Sequence, residues 1–110
     1  MKITKVMKLA VLRRMRTKVR KGWIKRSYDG FTDSGKPGVC VLGAMRASLR
    51  ELYPELVING YGEDQFAEKL SLTKAASDRG FTAVYRWNDH PNTRKADVLR
   101  LLDEKIGELT

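Results

Sequence analysis

The chain has 110 residues, of which 42% are hydrophobic, a formal net charge of +9 and a single cysteine, Cys40. These values fit one domain over residues 1–110 with one modest core, and they exclude a wholly disordered chain, an intramolecular disulfide and a zinc site built on several cysteines. No apolar run approaches the roughly 20 residues that cross a bilayer, and no signal-peptide pattern follows the basic start. We therefore expect no membrane partner and a location in the cytoplasm, where a lone cysteine stays reduced.

The first predicted element is a basic helix over about residues 3–21, with apolar residues at intervals of three and four and Gly22 as its stop. Residues 1–26 hold eleven Lys and Arg and no acidic residue, whereas residues 27–110 hold eleven basic and thirteen acidic residues. Nearly all of the excess charge therefore lies at one end of the chain. The cationic residues on the later turns of this helix and just after it are Arg13, Arg14, Arg16, Lys18, Arg20, Lys21, Lys25 and Arg26.

This charge has two interpretations. A basic segment attracts polyanions through its electric field and through counterion release, which predicts a nucleic acid or another polyanion as the partner. With phosphate-binding groups and no base-reading motif, such binding would show little sequence preference. The alternative is a solvated helix face that keeps the protein soluble or docks on a host protein.

A small β element and a second helix are predicted next. The stretch "WIKRSY" (residues 23–28) has the composition of a short strand, "DGFTDSGKPG" (29–38) is loop chemistry, and residues 39–41 pair back as a hairpin. From about Cys40 the pattern becomes helical, and Pro54 ends this helix. Its predicted inward residues are Val41, Met45, Leu49 and Leu52.

The rest of the chain predicts a third helix, a strand and a closing helix. Residues 63–80 have a helical pattern, "FTAVYRW" (81–87) alternates as a half-buried strand does, and Thr93 is expected to cap the last helix. The predicted fold is mainly α (α+β), a compact bundle of about four helices with a small two- or three-stranded β element. The residues expected to face inward are Phe66, Ala67, Leu70 and Thr73 in the third helix and Phe81, Ala83, Tyr85 and Trp87 in the strand.

Cys40 and His90 raise the question of an enzyme. A cysteine at a helix N-terminus has a lowered pKa. A cysteine, a histidine and an Asp or Asn, here Asp89 or Asn88, that meet in the folded protein suit a cysteine-dependent hydrolase or transferase. The alternative is that Cys40 is a small buried apolar residue. His90 with Asp89 alone does not make a metal site, so we expect no metal and no cofactor.

The stretch "RWNDHPNT" (86–93) also has two interpretations. In the first, Trp87 belongs to the core, and Asn88 and Asp89 cap the helix that Pro91 helps to start. In the second, Asn88 and Asp89 form the floor of a polar ligand pocket. Trp23 or Trp87 would then form its stacking wall, and the helix start at Cys40 its anion-binding end.

Three blocks occur in order along the chain: "GW" at residues 22–23, "CVLGAM" at 40–45 and "WNDHPNTRKADVLRLLD" at 87–103. Together they resemble a family of small proteins encoded by actinobacteria and their phages. The family pattern is a GW after the first helix, a CxLGAL-type block, and a WNDxPxxT block before a closing helix. His90 falls on the x of WNDxP, and the basic first helix looks like a feature of this member. The residues that match motif positions are Trp23, Cys40, Gly43, Trp87, Asn88, Asp89 and Thr93.

The family has no assigned activity, so the resemblance implies a shared fold more than a function. We expect a non-catalytic, phage-type accessory protein, acting in the host-cell cytoplasm if phage-encoded, with an anionic partner that is most simply a nucleic acid. The alternatives are the cysteine-dependent enzyme, a binder of a nucleotide-like small ligand and a binder of a host protein. The sequence leaves the oligomeric state open.

Overall fold

The structure, a computed structural model, describes residues 2–60 and 62–110. It is mainly helical with a small antiparallel sheet, as predicted, but the described residues form seven helices rather than about four. The additional helices are short: one arises where the predicted third helix breaks, one where a strand was predicted, and one over residues 54–58, where no element was predicted. The elements are α1 (Lys5–Lys21), β1 (Asp29–Phe31), β2 (Pro37–Val39), α2 (Val41–Leu52), α3 (Pro54–Ile58), α4 (Glu63–Lys69), α5 (Leu72–Asp78), α6 (Val84–Asp89) and α7 (Lys95–Leu109).

Helix α1 packs against both α2 and α7, and its apolar stripe lies in the centre of the core. The Thr4 hydroxyl accepts a hydrogen bond from the Met7 N–H (3.2 Å), which caps the first turn. At Gly22 the chain becomes extended. The basic residues are consequently confined to the flanks and the outer face of α1, because the stripe formed by Val11, Leu12, Met15 and Val19 is fully buried.

The sheet is a two-stranded hairpin whose first strand lies later in the chain than predicted and whose second strand begins two residues earlier. β1 pairs with β2 in antiparallel register, with Gly30 opposite Gly38. The predicted strand over residues 23–28 is wrong, since only Trp23 makes a single parallel bridge, to Val39. Arg26 has a φ of 69°, in the left-handed region, and this turn prevents the segment from continuing as a strand.

The predicted third helix is two helices, α4 and α5, joined at Ser71. Ser71 has a φ of 60° and a ψ of 28°, a left-handed conformation that interrupts the helical hydrogen bonds. The break lets both Leu70 and Leu72 reach the core, which an uninterrupted helix would place on divergent faces. It also changes the phase, so that Thr73, predicted to face inward, is exposed.

The predicted strand over residues 81–87 is also wrong, because Val84–Asp89 form helix α6. Val84, Trp87 and Asn88 are buried at helical spacing, whereas Tyr85, predicted to face inward, is 47% exposed. A pattern of seven residues is too short to distinguish the two-residue period of a strand from the 3.6-residue period of a helix. The helix places Trp87 and Asn88 on the same buried face, which a strand cannot do for adjacent residues.

Thr93 does not cap the closing helix as predicted. It is buried, and its N–H donates to the carbonyl of His90 (3.0 Å) in the preceding turn. The cap residue of α7 is Arg94, whose backbone N–H donates to Asp97 Oδ2 (2.9 Å). A carboxylate in the first turn of α7 therefore replaces the predicted threonine cap.

The left-handed conformation at Ser71 gives a test that distinguishes one helix from two. Replacing Ser71 with Gly should raise the free energy of unfolding by up to about 1 kcal/mol, because glycine occupies this region without the steric cost of a Cβ. Urea unfolding measures the change. If residues 63–80 formed one helix, the same substitution would destabilise, as we expect for the control Thr73→Gly on the exposed face of α5.

Candidate functional site

Residues 22–28 cross over the start of α2 and the end of α6, and the motif residues meet at this crossing. The N–H of Ile24 donates to the carbonyl of Val39 (3.1 Å), and the N–H of Val39 donates to the carbonyl of Gly22 (2.9 Å). Further along, the N–H of Cys40 donates to the carbonyl of Tyr28 (3.2 Å). The segment is therefore held by its backbone at both ends, against β2 and against the start of α2.

Asn88 lies at the centre of the crossing and is fully buried. Its Oδ1 accepts hydrogen bonds from the indole N–H of Trp23 (2.8 Å) and the backbone N–H of Val41 (3.1 Å). Its Nδ2 donates to the carbonyl of Ile24 (3.2 Å) and to Asp89 Oδ1 (3.0 Å). Both hydrogens of the amide and two acceptor positions are used, so the side chain is satisfied despite its burial.

This arrangement corrects the prediction that Asn88 caps the helix after Pro91. Val41 is the first residue of α2, and its N–H is one of the groups that a helix leaves without an internal partner. Asn88 accepts from it across 47 positions of sequence and so caps the second helix rather than the last. No local sequence signal could have revealed a cap provided by a residue so distant.

Asp89 fixes the turn at Arg26. Its Oδ1 accepts from the Arg26 backbone N–H (2.8 Å) as well as from Asn88. Because Arg26 has a positive φ, its N–H points away from any regular strand partner, and the carboxylate satisfies it. Asn88 and Asp89 thus hold residues 24–28 in place from the end of α6.

Two motif glycines are required by the same crossing. A Cβ added to Gly43 would overlap the carbonyl oxygen of Tyr28, and one added to Gly22 would overlap the carbonyl oxygen of Pro37. Both contacts are with backbone, which cannot rotate away. The glycines of the GW and CVLGAM blocks are therefore explained by close approach of two chain segments.

A cleft of about 410 Å³ opens beside the crossing. Of the residues predicted for a ligand pocket, Cys40 and Asp89 line it, whereas Trp23, Trp87 and Asn88 are outside its lining. The structure thus brings part of the predicted set to one surface and leaves the rest in the supporting layer. The cleft is also lined by Arg26, which the sequence predicted only as a nucleic-acid-binding residue. The lining residues that sequence reasoning missed are Ser27, Tyr28, Leu42 and Tyr85.

Two tyrosines of the cleft each make a cation–π contact with an arginine. The guanidinium carbon of Arg46 lies 5.2 Å from the ring centroid of Tyr28, and that of Arg86 lies 5.5 Å from the centroid of Tyr85. Both rings are about half exposed. The surroundings of the cleft are consequently aromatic and cationic, with the Asp89 carboxylate as the acidic group that lines it.

Cys40 is the N-cap residue of α2, but its environment does not favour the thiolate. Its sulfur accepts a hydrogen bond from the Gly43 N–H (3.3 Å), and the residue is only 6% exposed. Burial raises the pKa of the Cys40 thiol, and the negative charge of Asp89 acts in the same direction. The lowering expected from the helix N-terminus is outweighed by the cost of burying a charge.

His90 is engaged elsewhere. Its Nδ1 accepts from the Asn92 N–H (3.1 Å), and its ring packs edge-on against Phe81 with centroids 5.2 Å apart. Within the described part of the chain, the lining of the Cys40 cleft does not include His90. Across those same residues, no group of three or more His, Cys, Asp or Glu side chains could hold a metal ion.

The eight predicted cationic residues fall into two groups. Arg14 and Lys18 both pair with Glu51 on α2, and Arg16 pairs with Asp103 on α7. The Lys25 ammonium group donates to the carbonyl of His90 (2.6 Å) and lies 5.3 Å from the Trp23 ring centroid. The other four are exposed and make no ion pair or side-chain hydrogen bond within residues 2–60 and 62–110: Arg13, Arg20, Lys21 and Arg26. We call these four the basic surface.

One further cation lies near this surface and was not predicted. The ammonium group of Lys95, in the first turn of α7, donates to the carbonyl of Arg20 (2.6 Å). A cation at the C-terminal end of α1 interacts favourably with the helix dipole. Its position depends on how α7 docks on α1, so sequence patterning gave no signal for it. None of the described helices is long and apolar enough to cross a membrane.

The buried Asn88 amide gives the sharpest test of the crossing. Asn88→Ala should lower the free energy of unfolding by about 3 kcal/mol or more, because it leaves the Trp23 and Val41 N–H groups buried without acceptors. Asn88→Asp should be harmful at neutral pH, since it places a carboxylate against Asp89 and the Ile24 carbonyl.

That variant has a pH signature. The pKa of the introduced carboxyl would be higher in the folded state than in the unfolded state. Its contribution to stability is therefore fully present below the unfolded pKa and is lost as the pH rises through the folded pKa. Thermal unfolding of Asn88→Asp against the wild type should therefore show a deficit that shrinks as pH falls. A deficit independent of pH would contradict the burial of this side chain.

The raised pKa of Cys40 predicts slow alkylation. Iodoacetamide should react slowly with the native protein at neutral pH, and the rate should increase only above the usual pKa range of a thiol. The same protein in urea is the control and should react faster at neutral pH. Fast labelling of the folded protein with a depressed pKa would instead support the enzyme interpretation.

Comparison with known proteins gives a family but no relative of established activity. No curated protein and no solved structure matches the chain. The model of a family of unknown function, DUF6197, matches residues 5–108. This range includes the GW, CVLGAM and WND blocks that meet at the crossing. The chain therefore belongs to the DUF6197 family.

Proposed function

We propose that this protein is a non-catalytic binding protein whose partner is a nucleic acid held at the basic surface. The observation that carries the proposal is that Arg13, Arg20, Lys21 and Arg26 are exposed and that their side chains make no ion pair or hydrogen bond within the described residues. Arg13 and Arg20 are seven positions apart and lie on the same side of α1. Cations without intramolecular partners can take up phosphates without first breaking an ion pair.

The paired cations contribute less to this proposal. Hydrogen bonds and charge from Lys18 and Arg14 hold the pKa of Glu51 below its usual range, so this carboxylate competes with phosphate for both. Arg16 is similarly engaged by Asp103. These pairs are exposed and individually weak, so they can open, but each phosphate gained there costs the pair that is lost. The expected footprint is therefore smaller than the eight residues that the sequence indicates.

A nucleotide-like small ligand in the Cys40 cleft is the second candidate. The observation that favours it is the pair of half-exposed tyrosines, Tyr28 and Tyr85, beside Arg26 and Asp89. Aromatic rings can stack on a base, and arginines can hold a phosphate. The cysteine-dependent enzyme has less support, since burial raises the pKa of the Cys40 thiol and His90 has other contacts. A host protein is a further alternative partner, and the cytoplasm is the proposed location.

A salt titration tests the nucleic-acid proposal. Each phosphate neutralised on duplex DNA contributes about −0.9 to the slope of log K against log salt, so a footprint of four residues gives a slope of roughly −3 to −4. Replacing Arg13 and Arg20 together with Ala should flatten the slope by up to about two units. Stability should change little, because both side chains are exposed.

The matched control is the double variant Lys69→Ala, Lys74→Ala on α4 and α5, which removes the same charge from elements outside the basic surface. Its salt slope should stay close to that of the wild type. Equal losses for both double variants would mean that net charge alone drives binding. Absence of binding to duplex DNA, single-stranded DNA and RNA at low salt would refute the proposal.

A further inference from the structure

Phe31, at the end of β1, exposes 74% of its surface. A phenyl ring that stays in water contributes no hydrophobic free energy to folding. It belongs to the hairpin that adjoins α1. Single exposed apolar residues are common and need no explanation on their own. The surroundings of this ring distinguish it.

Two clefts meet at Phe31. The first, of about 410 Å³, lies between the hairpin and the last turns of α1 and is lined by Lys18 and Lys21. The second, of about 730 Å³, lies between the hairpin loop and the crossing segment and is lined by Trp23, Lys25 and Arg26. Among residues 2–60 and 62–110, Phe31 is the one that lines both clefts. An exposed ring thus lies between two clefts, each with cations in its lining.

The charges favour a polyanion that passes over the ring. The lining of the first cleft also contains Asp29 and that of the second Asp33, so each has more cations than carboxylates in its lining, although Lys18 in the first cleft is paired with Glu51. Lys21 and Arg26, one in each cleft, belong to the basic surface. An apolar partner protein would have to bury these cations without compensation, whereas phosphates would satisfy them.

Trp23 is less available than Phe31 as a stacking surface. Its indole N–H is held by Asn88 Oδ1, and the Lys25 ammonium group lies 5.3 Å from the centroid of its ring. Its ring is only partly exposed. The exposed phenyl ring of Phe31 is therefore the platform that a flat ligand would reach first.

We propose that the basic surface takes single-stranded nucleic acid, with an unpaired base stacked on Phe31 and phosphates in the clefts on either side. This inference rests on the proposed nucleic-acid function and adds the class of strand. Bases in a duplex are stacked on one another and cannot cover the ring, whereas every unpaired base offers a flat face. The ring does not distinguish DNA from RNA, so both are used in the test.

The test compares three ligands of equal length: oligo-deoxythymidine, oligo-uridine and an abasic phosphodiester chain. Fluorescence anisotropy with the full chain should show tighter binding of both base-containing strands than of the abasic chain. Phe31→Ala should weaken binding of the base-containing strands about 5- to 100-fold, the range that loss of one stacked base gives. Its affinity for the abasic chain and its salt slope should be unchanged, because no charge is removed.

Three further variants complete the design. Phe31→Trp should retain or strengthen binding, since the indole ring also stacks. Ile58→Ala, which removes an equally exposed apolar side chain on α3, should have no effect. Asp33→Asn should tighten binding of all three ligands, because it removes a repulsive carboxylate from the second cleft.

The outcomes separate this inference from the proposed function. If Phe31→Ala binds the base-containing strands as tightly as the wild type, the inference is wrong, the basic surface still binds nucleic acid, and the ring serves another partner such as a protein. The same conclusion follows if the wild type binds the abasic chain as tightly as oligo-deoxythymidine. If the wild type binds none of the ligands nor duplex DNA, the proposed function fails and the inference fails with it.

Discussion

The buried amide of Asn88 is the interaction on which the arrangement of the chain depends. Three of its four hydrogen bonds join the end of α6 to the start of α2 and to the segment that crosses between them, and the fourth is to the neighbouring Asp89. Without this amide the Trp23 and Val41 N–H groups and the Ile24 carbonyl would lose the partner that it provides, a cost that a marginally stable domain cannot easily offset. Asp89 extends the same network to Arg26, so the position of this cation is set by the WND block. The motif residues therefore have a structural role that also positions charged groups at the surface.

Helix α1 has its buried apolar residues on one face and its cations on the other faces. Its apolar stripe is fully buried against α2 and α7, while acidic residues of those helices neutralise the cations on its flanks. Arg13 and Arg20 are exposed and escape this neutralisation, and Lys21 and Arg26 each line a cleft beside the hairpin. The same hairpin carries Phe31 between two clefts with cations in their linings. Exposed unpaired cations beside an exposed ring form a surface suited to a flexible polyanion with flat bases.

Much of the fold could be predicted from the sequence, and the errors have physical causes. The inward positions of α2 followed from helical periodicity, because one regular element packs one continuous face. The helix at Val84–Asp89 could not be separated from a strand, because seven residues fit both periods and tertiary burial of Trp87 and Asn88 decides between them. The break at Ser71 had no Gly or Pro to mark it, and the left-handed conformation of this serine accompanies the burial of both Leu70 and Leu72.

The candidate site was predictable in part. Cys40 and Asp89 line one cleft, whereas Trp23, Trp87 and Asn88, which the pocket interpretation also placed there, are outside its lining. The tyrosines beside the cleft and the cap from Asn88 to Val41 depend on contacts between distant segments. The basic residues were evident from the sequence, whereas their division into paired and free groups depends on which helices flank α1. Phe31 was hidden within a stretch of loop-forming residues, where composition predicts a turn and says nothing about a ring presented to solvent.

The most direct test of the central claim is a map of backbone amide chemical shifts during titration with oligo-deoxythymidine. Binding at the basic surface predicts shift changes on the later turns of α1, over residues 23–26 and around Phe31, with α4 and α5 unaffected. The side-chain amide of Asn88 should keep its shift, because the network beneath the surface is already satisfied. Changes confined to Tyr28, Tyr85 and the rest of the Cys40 cleft, or no changes at all, would contradict the account.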